Sequence, residues 1–461
     1  MDPLANAARS DPHPSPPPEK GREQFPGASN LFSGRGLALA LLLAINMMNY
    51  VDRQVLAAVE DLIQKTFPGA TDAQMGSLAF AFLISYMVLS PVFGLLADRF
   101  SRWLLVGIGV ILWSVASGAT GLAGSFAILL ATRCFVGVGE AAYGPVAPTI
   151  ISDLYPVEKR GMVLAWFYIA IPVGSAIGYM LGGWIGSLPG LGWRGAFYIV
   201  VPPGILLGIW SLFMKDPRRA ARAAAQVTAA KTEPRGKVQR RWGEYASLLH
   251  NRSFVLDTLG MTAMTFAIGG IAFWIPKYIS VYRGAGNLKE VNFIFGLLTV
   301  ITGIGATLLG GWVGDRLRPR FSGSYFLVSG VGLLAGFPLV LAMLITPFPA
   351  AWVFIFLAEF CLFFNTGPAN TILANATPPA IRATAFAVNI FVIHLLGDAI
   401  SPWLIGWISD RSNMNIAFAF MSLMMLAGGV LWLWGAKYLA ADEAAAEGKP
   451  PSGGRGFEPV L

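Results

Sequence analysis

Charge is scarce in this chain. Only 13% of its 461 residues are Asp, Glu, Lys or Arg, about half the share usual in a soluble protein, and 55% are hydrophobic. With a mean hydropathy of +0.61, the composition excludes an ordinary water-soluble globule and indicates a polytopic membrane protein. Cysteine is almost absent. The two present, Cys134 and Cys361, fall in apolar stretches and read as small buried hydrophobes, so neither a disulfide framework nor a metal site is expected. The sequence has no H-E-x-x-H, no G-x-S-x-G and no G-x-x-x-x-G-K-[ST], so metalloprotease, serine hydrolase and ATP-driven pump lose their main support. No enzyme activity and no cofactor are expected.

A secretory signal is lacking too. Residues 1–34 have neither a basic start nor an apolar middle and are rich in proline, and residues 441–461 are polar and rich in Gly and Pro. Both are expected to be disordered cytoplasmic tails. Between them, apolar spans fall near 36–60, 75–97, 103–122, 127–151, 161–186, 194–214, 254–276, 291–314, 323–345, 352–375, 383–408 and 416–439. The expected fold is therefore all-α, with twelve transmembrane helices in two six-helix halves.

The formal net charge of +8 does not point to nucleic acid, because the basic residues cluster in alternate loops. One side holds eighteen Lys and Arg and the other six, which places both termini in the cytoplasm of a cell inner (plasma) membrane. Ten of the eighteen lie in a basic linker, 215–253, separating a first half, 35–214, from a second, 254–440.

The halves repeat one another. GLLADRFSRW at 94–103 is echoed by GGWVGDRLRPR at 310–320, with Asp98 and Asp315 separated by 217 positions. Pro156 and Arg160 align with Pro378 and Arg382 at a separation of 222, and GGWIG at 182–186 resembles IGWIS at 405–409. Two parallel repeats around a central site are the arrangement of secondary transporters that work by alternating access.

Four ionisable residues interrupt otherwise apolar spans: Asp52 and Arg53 in the first, Arg133 and Glu140 in the fourth. Together they would cost on the order of 10 kcal/mol in a bilayer unless they pair or line a wet cavity. Arg53 lies about 25 Å into its span, and Glu140 lies about 20 Å into its own, a little past the midplane. Arg133 and Glu140, seven residues apart, share a helix face. With two acids and two bases, protonating one acid leaves a positive cavity suited to an anion, and guanidinium groups match phosphate or carboxylate geometry. Glu140 or Asp52 is the expected proton-coupling group, with Arg53 receiving the substrate anion and Arg133 in support. The same pairs would also serve merely to fasten span one to span four, and both readings stand at this point.

These residues resemble the major facilitator superfamily. Its G-x-L-x-D-R-x-x-R loop is matched by Gly94, Leu96, Asp98, Arg99 and Arg102, with a second copy beginning at Gly311. Within the superfamily, NYVDRQ at 49–54 and RCFVGVGEAAYGPVAPTIISDLY at 133–155 resemble a bacterial-type Spinster homologue, of a family that moves lysolipids and sphingoid phosphates. The resemblance implies a proton-coupled carrier of an amphipathic anionic lipid, acting as a monomer. It also implies a cytoplasmic gate at Gly94, Asp98, Arg99, Arg102, Asp315 and Arg316. A proton-coupled multidrug exporter or a carrier of small organic anions is the alternative.

In the second half His394 and Asp398 lie on one face near mid-span, either as a second polar site or as a structural hydrogen-bonded pair. Glu359 is expected nearer the outer boundary, against water or a neighbouring helix. The otherwise apolar and aromatic second half is expected to take the lipid tail.

Overall fold

The computed structural model describes residues 34–216 and 248–447, apart from 380. The first half opens with α1 (Gly34–Ala58), which crosses from a near face, where the two halves are joined in sequence, to a far face. A one-residue break at Val59 separates it from the short α2 (Glu60–Thr66), so the first span ends before Glu60. The chain returns as α3 (Asp72–Arg99), started by a capping box in which the Thr71 side chain accepts from Gln74 N and Gln74 reaches back to Thr71 N. Then come α4 (Arg102–Gly121), α5 (Phe126–Ala141), α6 (Ala147–Leu154), α7 (Val157–Gly186) and α8 (Gly192–Leu212).

The second half contains α9 (Arg252–Lys277), a wide π-helical turn (Tyr278–Tyr282), α10 (Leu288–Leu317), α11 (Ser324–Ile345), α12 (Ala351–Phe363) and α13 (Thr366–Ala376). It continues with α14 (Arg382–Ile393), a second π-helical turn (His394–Asp398), α15 (Ile400–Arg411), α16 (Met414–Gly435) and α17 (Leu439–Ala446). Among the described residues eleven helices or helix pairs are long and apolar enough to cross a membrane. The twelfth crossing is α5 followed by α6, interrupted at 142–146, where Gly144 and Pro145 disfavour a continuous helix.

Two expectations from the sequence meet the ends of the described chain. Residues 217–247 of the basic linker and 1–33 of the first tail lie outside it. The second tail is not disordered from 441. Instead α17 carries the chain to 446 and docks, with Asp442 accepting from Ser253 N at 2.8 Å and Glu443 paired with Arg318. Alanine-rich sequence favours this helix, and these two acids fix it to the near face of the second half. Residues 448–461 lie outside the description.

Within the first half α1 packs on α7, α4 on α8, and α5 on both α3 and α4; within the second, α16 packs on α9 and α11. The halves meet along α3 with α15 and α7 with α10. Glycines make this seam close: a Cβ on Gly76 would fall 2.3 Å from Pro402 O, and one on Gly406 would fall 2.4 Å from Asp72 O. One apolar core spans both halves here, joining Val55, Leu78 and Tyr179 to Trp274, Phe295 and Ile405. Cross-half hydrogen bonds gather towards the far face, including Asn292 Nδ2 to Ala58 O at 3.1 Å and Tyr179 Oη to Ala272 O at 2.6 Å. The far side is thus the closed side.

Candidate functional site

Asp52 and Arg53 are adjacent on α1, and in a helix adjacent side chains point about 100° apart. That separation gives them different surroundings. Arg53 projects towards α5, where its Nη2 is 2.6 Å and its Nε 3.0 Å from Oε2 of Glu140. Glu140 is 1% exposed, whereas the Arg53 side chain keeps 20% of its surface, so the pair has a buried acid and an accessible base. The guanidinium lies against three rings, 5.0 Å from the centre of Tyr50, 4.9 Å from Phe82 and 5.7 Å from Tyr86. The rings flank the cation without neutralising its charge, so among the described residues Glu140 is its close counter-ion.

Asp52 turns inward instead. It is buried, and Ser117 Oγ on α4 donates to its Oδ1 at 2.9 Å. Arg133 is also enclosed within the first half. It donates from Nη2 to Thr120 Oγ1 at 3.3 Å and faces the Phe197 ring at 5.6 Å, while its Nε has no hydrogen-bond partner. The structure therefore brings Arg53 and Glu140 together and places Asp52 and Arg133 in a separate polar layer between α1, α4, α5 and α8.

Two further bonds brace the site. Asn46 donates to Phe167 O at 2.8 Å, and Tyr143 Oη donates to Leu42 O at 2.8 Å, tying α1 to α7 and to the interruption after α5. The glycines before Glu140 let α5 approach closely: a Cβ at Gly137 would fall 2.3 Å from Phe82 O, and one at Gly139 would fall 2.7 Å from Gly109 O.

From the second half, His394 Nδ1 is 3.0 Å from both oxygens of Asp398, across the π-helical turn. Both side chains are about one quarter exposed, at 27% and 23%, and the turn that carries them packs against α3, the helix of Phe82 and Tyr86. This pair therefore faces the aromatic wall around Arg53. The widened turn is fastened sideways, since Thr265 Oγ1 of α9 donates to Ile393 O at 3.1 Å. Glu359 meets a neighbouring helix, accepting from Thr299 Oγ1 at 3.2 Å and Thr302 Oγ1 at 3.5 Å on α10.

The near-face loops bond within their own halves. Arg102, 1% exposed, joins Asp153 and Asp216, each at 2.8 Å. Asp315 accepts from Tyr325 Oη at 2.8 Å, while Arg99 and Arg316 are exposed. Gly94 and Gly311 have open space where a Cβ would stand. The Asp98 side chain is outside the described set.

Sequence reasoning missed two parts. Tyr50 was hidden as one aromatic among many, although its position three residues before Arg53 places it on the neighbouring turn. A far-face group of Glu60, Asp72, Lys277, Tyr282, Ser409 and Asp410 was also missed. Each member sits at the margin of a span, and their convergence depends on contacts between halves.

The defining sequence pattern of the Major Facilitator Superfamily matches residues 42–399. The chain is 36% identical to zebrafish (Danio rerio) protein spinster homolog 3, over 89% of this chain and 86% of that one. It is 35% identical to human (Homo sapiens) protein spinster homolog 1, over 94% and 86%. This chain belongs to the Spinster family of the major facilitator superfamily. The backbone of this Spinster-family protein agrees. A bacterial homologue of the human lysosomal transporter Spinster, in an inward-facing and unoccupied conformation, matches with a TM-score of 0.73 at 22% identity, covering 92% of this chain and all of that one. A D-xylose–proton symporter matches with a TM-score of 0.65 at 17% identity, over 86% and 96%. The twelve-crossing, two-half fold is thus that of the superfamily, and the Spinster-family protein is a multi-pass membrane transporter.

Proposed function

We propose that this protein is a proton-coupled carrier of an amphipathic anionic lipid, of the lysophospholipid or sphingoid phosphate class, working as a monomer by alternating access. The observation that carries the reading is the Arg53–Glu140 pair, an accessible cation whose close counter-ion is a buried acid. When Glu140 takes a proton, Arg53 loses its counter-charge and is free for a phosphate or carboxylate headgroup. The empty pair is neutral, and so is the pair carrying both a proton and a singly charged anion. Either partner alone leaves a net charge inside the membrane, which is costly to carry between faces. This accounting links proton and anion without requiring a direct contact between them.

Asp52, held by Ser117, is the second proton candidate; Arg133 supports the field in the layer behind. The His394–Asp398 pair borders the opposite wall as a second-half polar site. Family membership and the rings around Arg53 support a headgroup joined to an apolar tail, with the tail lying towards the second half. The near-face loops around Gly94, Asp98, Arg99, Arg102, Asp315 and Arg316 form the gate that closes when the far side opens. Lys and Arg predominance supports a cytoplasmic near face with both termini on it, and the membrane proposed is the plasma membrane.

Uptake into proteoliposomes under an imposed pH gradient tests the function, comparing a lysophospholipid, a sphingoid phosphate and a small carboxylate. Gradient-driven, saturable movement of the lipids is expected, and Glu140→Gln should remove its pH dependence. Unaltered pH-dependent transport by Glu140→Gln would dismiss Glu140 as the coupling group. If a tailless anion competed as well as the lipids, the lipid assignment would give way to a small organic anion carrier.

A further inference from the structure

The closed far side of the seam contains ionisable residues that the central pair does not use. Glu60 and Asp72 come from the first half, and Lys277 from the second. All three are buried, at 0%, 5% and 3% exposure. Lys277 Nζ is 3.2 Å from Glu60 Oε1 and 2.7 Å from Asp72 Oδ1, and it also donates to Gln64. Asp72 is well supplied: its Oδ2 accepts from Ser409 Oγ at 2.7 Å and from Tyr282 Oη, both across the seam. Glu60 is poorly supplied. Its Oε2 is buried without a hydrogen-bond partner.

Two enclosed carboxylates therefore share one ammonium, leaving one negative charge to be balanced. No other cation faces Glu60 at bonding distance among the described residues. On its own helix, Asp61 adds negative charge and is paired with the exposed Lys65 at 2.6 Å. On α15, Asp410 is engaged by the Asp72 and Ala73 amides at 2.8 and 2.9 Å. From α8, Trp193 donates to Thr66 Oγ1, at the end of the helix that carries Glu60, at 2.8 Å.

We propose that closing the far side of the transporter binds one proton, at Glu60. With the seam open, Glu60 stands in water as an ordinary carboxylate; when the second half, bringing Lys277, closes over Glu60 and Asp72, the proton supplies the missing positive charge. Burial outweighs Lys277 and, aided by Asp72 and Asp61, holds the closed-state carboxyl up to about 7. A cavity of about 570 Å³ lined by Asp61, Gln64, Asp72 and Lys277 reaches the partners of Glu60.

The closed state has the higher proton affinity, so acid favours closure and alkali favours opening. The window runs from the ordinary carboxylate range, about 4.3, up to about 7. Inside it the closed-to-open ratio changes by up to about tenfold per pH unit. The inference uses the alternation of faces in the proposed function but not its proton site at Glu140.

Spin-label distances on the full chain in nanodiscs, without substrate, test it. Cys134 and Cys361 are replaced by Ala, and labels are placed at Gly124→Cys, where a side chain has open space, and Ile345→Cys, which is 85% exposed. The population with separated far-face labels is expected to grow as the pH rises from about 5 to about 7. Glu60→Gln should abolish that growth and keep the seam closed throughout. Lys277→Met, which removes the competing cation, should move the midpoint to higher pH. Retention of the pH response by Glu60→Gln, separation on acidification, or an unmoved Lys277→Met midpoint would overturn the proposal. Glu140→Gln should retain the response; if it alone flattens it, the pH sensor is the central pair and the Glu60 assignment falls. Transport by Glu140→Gln reports separately on the proposed function.

Discussion

Nε and Nη2 of Arg53 both converge on a single oxygen of Glu140, Oε2, at 3.0 and 2.6 Å. The guanidinium thus uses one edge for its counter-ion and retains donors for another acceptor, while three rings flank it at 4.9 to 5.7 Å. A lysine has neither the planar fork nor the reach to preserve both relationships. Arg53→Lys is expected to weaken lysophospholipid binding by at least about tenfold, equivalent to about 1.4 kcal/mol, in a titration with detergent-purified protein. Near-wild-type affinity would show that a point charge suffices.

Arg102 is expected to act on stability. Its guanidinium joins Asp153 and Asp216 at the near face, tying the start of α4 to the ends of α6 and α8. Arg102→Met should destabilise the protein by about 3 kcal/mol, discounted where Asp153 meets solvent, because two acids lose a shared cation. Thermal unfolding in detergent should show the loss, with Arg102→Lys recovering part of it.

Gly137 sets the distance between α5 and α3. A Cβ there would stand 2.3 Å from Phe82 O and 3.0 Å from Tyr86 N, so backbone must move, and those residues supply two of the rings beside Arg53. Gly137→Ala is expected to cost about 1–3 kcal/mol in unfolding stability and to weaken substrate binding as well. Gly305→Ala, on α10 with nothing within 4 Å of the new methyl, is the matched control and should lower neither.

Gly76 should act on conformation. Its close approach to Pro402 joins the two halves along the α3–α15 contact, and a Cβ would fall 2.3 Å from the Pro402 carbonyl oxygen. Gly76→Ala is expected to increase the separated population of labels at positions 124 and 345 at every pH. An unchanged distribution would mean that the α3–α15 contact relaxes without opening the seam.

Hydropathy and the duplicated loops revealed the crossings and the two halves, because an apolar run long enough for a bilayer has few alternative structures. The first-span and fourth-span charges were equally legible because charge is costly there. Their partnership was less so. Helical spacing placed Arg133 and Glu140 on one face, but it could not show that Arg53 reaches Glu140 while Arg133 is held by Thr120. The Lys277 cluster was harder still. Glu60 and Lys277 are 217 residues apart, each at a span margin where charge is ordinary, and only packing between the halves makes them neighbours.

The π-helical turn at His394–Asp398 also explains a discrepancy in the repeat. Arg160 and Arg382 are separated by 222 positions, whereas Trp184 and Trp407 are separated by 223. Between those landmarks the first copy runs as α7 without a π-helical turn, while the second contains the turn, in which Ala399 N bonds to His394 O five residues back. The second copy is one residue longer between these landmarks, and the wider coil takes up that residue, which would otherwise rotate everything that follows by about 100°. The faces of α14 and α15 thus stay in step with those of α7, and the residue taken up lies within the turn that carries His394 and Asp398.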